Sequence, residues 1–167
     1  MIEQVGHPYF SKPWFSPLQE GLKDRFALLT SAVDEGVEMG IHLCYSDIEH
    51  DHFVKPKNAR HLVEMANLTM SMAPRHVDWI HMPVPKNRVD DDYYAPMKEL
   101  RLRNETHIYL GPAHVWDFEG TQKRISTASK VLETFGVATE CGMGRTPTDE
   151  FEAVMEVLAE VSKARAT

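Results

Sequence analysis

Cysteine is scarce in this chain: there are two in 167 residues, at positions 44 and 141. No disulfide framework can rest on so few, so the thiols are read as free, metal-bound or reactive. Positive charge is also short. Lys plus Arg number 18 against 25 Asp plus Glu, for a net charge of −7. Such a balance argues against a binder of phosphate backbones, and no nucleic-acid partner is expected. No apolar run approaches the roughly 18 residues of a membrane span. The opening MIEQVGHPYFSKPW lacks the charged-then-apolar order of a secretory leader, so a cytoplasmic location is expected. The length falls well short of the roughly 250 residues of a complete (β/α)₈ barrel, yet it suffices to bury a core unaided. What remains is a soluble globular composition, 43% hydrophobic and 26% charged, with nine histidines.

Proline and aromatic residues crowd positions 1–16, which read as an irregular N-terminal arm. From residue 17 onward the apolar spacing predicts one α/β domain. Leu18, Leu22, Phe26, Leu29 and Val33 recur at helical steps over 18–35. A short strand is predicted over 41–45, a helix over 58–73 closed by Pro74, and a strand from Val77 to Val84. A helix over 91–102 follows, then a strand from His107 to Leu110, a helix over 119–135 and a strand from Val137 to Glu140. The last helix, 149–164, carries Phe151, Val154, Met155, Leu158 and Val161 on one stripe. A helix followed by four strand–helix units predicts parallel strands with helical crossovers. Four βα units make either a small doubly wound sheet or half of a TIM barrel. The half barrel is preferred, and its open strand edges call for a partner, either a second copy or a separate chain.

In parallel α/β folds, sites gather at the C-terminal ends of strands. Each predicted strand here ends in a metal-ligating residue type. The first gives His42 and Cys44, two apart and therefore on one face, with a polar loop from Asp47 to His52 behind them. The second gives His81. The third gives His114, Trp116 and Asp117. The fourth gives Glu140 and Cys141, then Gly142-Met143-Gly144-Arg145. Imidazole and thiolate converging on one cavity suit Zn²⁺. Taken singly, Cys44 reads as a small buried apolar residue and His42 as a core imidazole; the conjunction of both cysteines with strand-end histidines favours the metal. Arg145, after two glycines, could meet an anionic substrate group or sit on the surface. His50 and His52 suit a solvated loop better than a second metal site.

Ile41-His42-Leu43-Cys44-Tyr45-Ser46-Asp47 resembles the His-x-Cys-Tyr-Ser segment of the cobalamin-independent methionine synthase family. Glu140-Cys141-Gly142-Met143-Gly144-Arg145-Thr146 is similar to that family's Asp-Cys-Gly segment, and Val77-Asp78-Trp79-Ile80 to its Ala-Asp-Val-Ile strand. The resemblance spans about residues 38–165 and implies the second, zinc-binding half of a TIM barrel. It implies His42, Cys44 and Cys141 as zinc ligands. Where the family has a fourth ligand, a glutamate, this chain has Pro83, which cannot ligate; His81 is ranked first as replacement, an open position second and His114 third. His114 and Asp117 are the expected catalytic groups, with Arg145 and Trp116 toward substrate. Trp116 stands where the family has a histidine, and His114 where it has an aspartate. The implied activity is zinc-dependent methyl or alkyl transfer from a small-molecule donor to a small-molecule thiol, by a subunit or partial domain. Two alternatives stay open: a uroporphyrinogen-decarboxylase-like barrel protein with another reaction, and a non-catalytic zinc-binding interaction subunit.

Overall fold

A computed structural model describes residues 15–45, 47–48, 51–52 and 55–166, without the side chains of 47, 48, 51 and 164–166. Most of the expected N-terminal arm, and Glu49 and His50, lie outside the described residues.

The elements run α1 (Leu18–Ser31), β1 (Gly40–His42), β2 (Asp47–Ile48), β3 (Asp51–His52), α2 (Arg60–Met72), β4 (Trp79–Pro83), α3 (Asp91–Tyr94), β5 (His107–Ala113), α4 (Phe118–Ala128), β6 (Gly136–Thr139) and α5 (Thr148–Ala166). Strands β1, β4, β5 and β6 form one four-stranded sheet in that order, every pair parallel. The strands β2 and β3 make a separate antiparallel hairpin beyond the end of β1.

The sheet has two unlike faces. Ile80, Met82 and Leu110 are fully buried, and they join Leu62, Val63, Ala66 and Met70 of α2 in a single apolar cluster. Side chains alternate along a strand, so Trp79, His81 and Tyr109 emerge on the opposite face. With His42 they line an open concavity of about 470 Å³. A doubly wound sheet would bury both faces under helices. Here one face is packed and the other is bare, which is the arrangement of half a barrel.

Several boundaries depart from expectation. The helix α1 stops at Ser31, and it turns Phe26 and Thr30 inward while Leu29 is 69% exposed; Val33 packs on the core from beyond the helix end. The helix predicted over 91–102 is one α turn capped by Asp90, whose carboxylate accepts from Tyr93 N at 3.0 Å, and then a 3-10 turn over Ala95–Glu99. Pro96 lacks the amide hydrogen that an α-helix would need there. The strand β5 runs three residues past its predicted end, through Gly111 and Pro112 to Ala113, with a register shift against β6. The helix α4 ends at Ala128 because Val131 and Leu132 turn back to pack on the core. On α5 the buried stripe is Val154, Val157 and Val161; Phe151 and Met155, expected on it, are 44% and 43% exposed.

Candidate metal centre

The C-terminal ends of the four parallel strands meet at one mouth. Position 42 pairs with 81 and 81 with 109, so His42, His81 and Tyr109 form one rung of side chains on the bare face. Leu43 N donates to His81 O at 2.9 Å, extending the pairing one residue beyond β1 and fixing where the chain turns toward Cys44. The chain following β6 carries Cys141 to the same place. Its Sγ lies 3.0 Å from Cys44 Sγ. Gly142, at φ 94°, turns the backbone immediately afterward, a conformation glycine adopts without strain.

His42, Cys44 and Cys141 each offer a donor atom, and the three atoms lie within 4.8 Å of one another. Among the described residues this is the group of three or more such side chains close enough to hold an ion. Two thiolates and an imidazole form a donor set that zinc favours. Two Zn–S bonds of about 2.3 Å at a tetrahedral angle place their sulfurs about 3.8 Å apart. The pair as it stands must open by under an ångström, within reach of a rotamer adjustment of Cys44, which is exposed. The residues therefore fit a zinc ion.

His81 stands beside this group rather than within it. Its ring stacks on His42 with centroids 4.9 Å apart, and the two Nδ1 atoms are 2.7 Å apart. The other nitrogen, Nε2, is 3.0 Å from Thr139 O. Gly111 makes that reach possible: a Cβ there would lie 2.3 Å from Thr139 O and 2.9 Å from His81 Nε2. Burial and the neighbouring His42 lower the His81 pKa to about 4, and burial lowers that of His42. A neutral His81 in contact with His42 Nδ1 sets the tautomer and direction of the His42 ring, as partners of metal-bound histidines do.

Both ring nitrogens of His114 meet partners other than the thiols. Its Nδ1 is 3.1 Å from Glu140 Oε1 and its Nε2 is 2.8 Å from Val84 O. Both ring nitrogens face acceptors. On the other side of Glu140, His52 Nε2 approaches Oε2 at 3.3 Å. Burial pushes the Glu140 carboxyl up, but its contacts with His114 and His52 outweigh that and bring it to about 2.

The remaining expected residues are placed as follows. Asp117 caps α4, accepting from Gly120 N at 3.2 Å, and it holds buried Arg124 at 2.7 Å. Partial burial raises its pKa, and Arg124 more than reverses that. Trp116 is 69% exposed with φ 53°, on the loop before α4. Arg145 ends the 3-10 turn Met143–Arg145 and is exposed. Two features escaped the sequence reading. One is the His52–Glu140–His114 chain, which joins three separate loops and has no linear signature. The other is a ring of lysines above it; its signal was the paired proline–lysine tracts Lys55-Pro56-Lys57 and Pro85-Lys86, each just beyond a strand or hairpin.

Comparison with known proteins bears on the fold. The structure of a B12-independent methionine synthase from Shewanella sp. W3-18-1, in complex with selenomethionine, matches with a TM-score of 0.59. The chain has a methionine-synthase-like fold. The match covers 90% of this chain and 46% of that one, at 16% sequence identity. This chain thus spans about half the length of its structural neighbour. No protein-family model matches, and no curated protein matches by sequence.

Proposed function

We propose that the chain is a zinc-dependent thiol methyl- or alkyltransferase, acting as a subunit or as part of a larger barrel. The single observation behind this reading is the convergence of His42, Cys44 and Cys141 at the strand mouth of a methionine-synthase-like fold. Zinc bound there would lower the pKa of a substrate thiol and hold it for attack on an alkyl carbon. In this reading Cys44 and Cys141 supply the thiolates, His42 the imidazole, and His81 orients His42 from behind. His114 holds a proton between its ring and Glu140 at the edge of the site. Asp117 acts through Arg124 and the start of α4, shaping the loop that carries Trp116. Arg145, next to the Cys141 turn, is placed to meet an anionic group of the donor or acceptor.

The bare face bearing Trp79, His81 and Tyr109 requires cover, and we propose a second barrel half, as another copy or a separate chain. From residue 17 onward the chain is taken as one domain. Among the described residues no helix is long and apolar enough to cross a membrane; the proposed location is cytoplasmic.

Elemental analysis of protein purified without chelator tests the reading: about one zinc per chain is expected. Full zinc retention by the Cys44→Ser, Cys141→Ser double variant would remove its basis. Transfer of a labelled methyl group to a thiol, measured with and without a complementary barrel half, tests the chemistry.

A further inference from the structure

Above the His52–Glu140–His114 chain lies a second cavity, of about 470 Å³, within the range of small-ligand pockets. It is distinct from the concavity on the bare sheet face and opens between the loop at 55–57 and the loop at 85–88. Its rim holds Lys55, Lys57, Lys86 and Arg88, and its base is formed by His52, His114 and Glu140. A concentration of four permanent cations around one carboxylate is out of keeping with a chain of net charge −7.

The charges at this cavity cancel only in part. Arg88 is neutralised by Asp90, at 2.8 and 2.9 Å. Lys57 and Lys86 are exposed and make no close ion pair with a carboxylate among the described residues; Lys86 Nζ is 3.4 Å from the neutral Val115 carbonyl and sits near enough to Asp117 to favour its charged form. The one carboxylate at the base is flanked on both oxygens by histidines, which cover its charge toward the cavity.

The walls are also held in advance of any ligand. Arg88 Nη1 donates to Pro56 O at 3.0 Å, tying one loop to the other. Ala59 N donates to Tyr93 O at 3.0 Å, and Tyr93 Oη to Pro83 O at 3.2 Å. Arg124, 1% exposed, donates to Lys86 O and, at 2.8 Å, to Pro112 O. A preformed cavity spares a ligand the cost of ordering loops. Clustered positive charge over low-dielectric walls raises the local concentration of anions.

We propose that this cavity is a binding site for a small polyanion, a phosphate or polycarboxylate group, held between Lys57 and Lys86 above the histidines. Glu140 precedes Cys141 in sequence, so the site adjoins the thiol pair and would fix the charged end of a molecule whose other end lies at the strand mouth. This adds a substrate class to the transfer reading, but binding itself does not depend on metal.

The test uses the full chain stripped of metal with 1,10-phenanthroline, a neutral chelator, and titrated calorimetrically with inorganic phosphate and with citrate at low ionic strength. Submillimolar binding of at least one is expected, and the better of the two identifies the source of the charge. Raising the salt to 0.5 M should weaken it tenfold or more. The Lys57→Gln, Lys86→Gln variant should lose at least tenfold in affinity, while Lys23→Gln, Lys163→Gln, a charge-matched change on remote helices, should lose under twofold. Circular dichroism checks that both variants are folded, as expected for exposed side chains. Absence of binding by either anion at several millimolar overturns the proposal, as does equal weakening by the two double variants. Because the protein is metal-free throughout, failure here leaves the zinc assignment standing, and failure of zinc analysis leaves this site standing.

Discussion

Arg124 is the buried cation on which the upper architecture turns, and Arg124→Met measures it. The side chain reaches Pro112 O at 2.8 Å, Asp117 Oδ2 at 2.7 Å, Thr121 Oγ1 at 3.2 Å, and Lys86 O. Methionine keeps most of the volume and removes every donor. Pro112 O retains a bond from Thr121 Oγ1 at 3.3 Å, so it is not stranded. Lys86 O loses its donor; because the bond is only part-buried, the cost falls at the lower end of the about 1–3 kcal/mol for a stranded acceptor. Asp117 loses its ion partner; breaking a fully buried pair costs about 3–5 kcal/mol, and the 25% exposure of Asp117 lets water recover part of that. The two losses overlap within one network, and we expect about 3–4 kcal/mol overall. For a chain of this size that is roughly a 10 °C fall in Tm. Urea unfolding followed by circular dichroism, with the slope unchanged, is the assay. A loss below about 1 kcal/mol would refute the account. So would strict additivity with Asp117→Asn, because residues sharing an ion pair must couple.

Three further outcomes are expected. Glu140 has a folded pKa of about 2, below its usual 4.5, so its stabilisation is complete above pH 4.5 and lost as pH falls through 2; Glu140→Gln should flatten the fall in Tm across that window. Gly111→Ala should part β5 from β6 at the Thr139 carbonyl and displace His81, costing about 1–3 kcal/mol and weakening zinc binding in a chelator competition. Light scattering at micromolar concentration should find an assembly larger than 19.1 kDa; a compact, soluble monomer would count against the need for a second barrel half.

The alternation of apolar segments was enough to place the parallel strands, because βα units carry their period in the residues themselves; it left the half barrel and the doubly wound sheet both open, and the bare sheet face separates them. Helix ends were harder to read. Val131 and Leu132 continue a helical spacing but serve the core from a turn, and Pro96 permits one α turn before forcing a tighter one. On α1 and α5 the expected stripes hold in part: Phe26, Val154 and Val161 pack inward, but Leu29, Phe151 and Met155 are exposed while Thr30 and Val157 are buried. At the site, His42, Cys44 and Cys141 were legible from residue type and strand position. The roles of His81 and His114 were not, since both depend on which carbonyl or carboxylate a neighbouring strand presents. Asp117 illustrates the same difficulty: its cap on α4 and its bond to Arg124 have no signature in the sequence.

The two sulfurs 3.0 Å apart come from opposite margins of the sheet. Cys44 follows β1, the first strand in the order, and Cys141 follows β6, the last, 97 positions later in the chain. On a flat sheet three strand spacings would hold them about 14 Å apart. Their meeting is therefore a product of curl, and an ion shared between them would act as a clasp across the open arc. Because such an ion would bind the folded arc and leave the unfolded chain, it would stabilise by mass action, by about 4 kcal/mol at a free concentration a thousandfold above its Kd. Removing the ion should then loosen both margins together, with amide hydrogens of Ile41 and Val137 exchanging faster while those of Ile80 and Leu110, in the middle strands, hold.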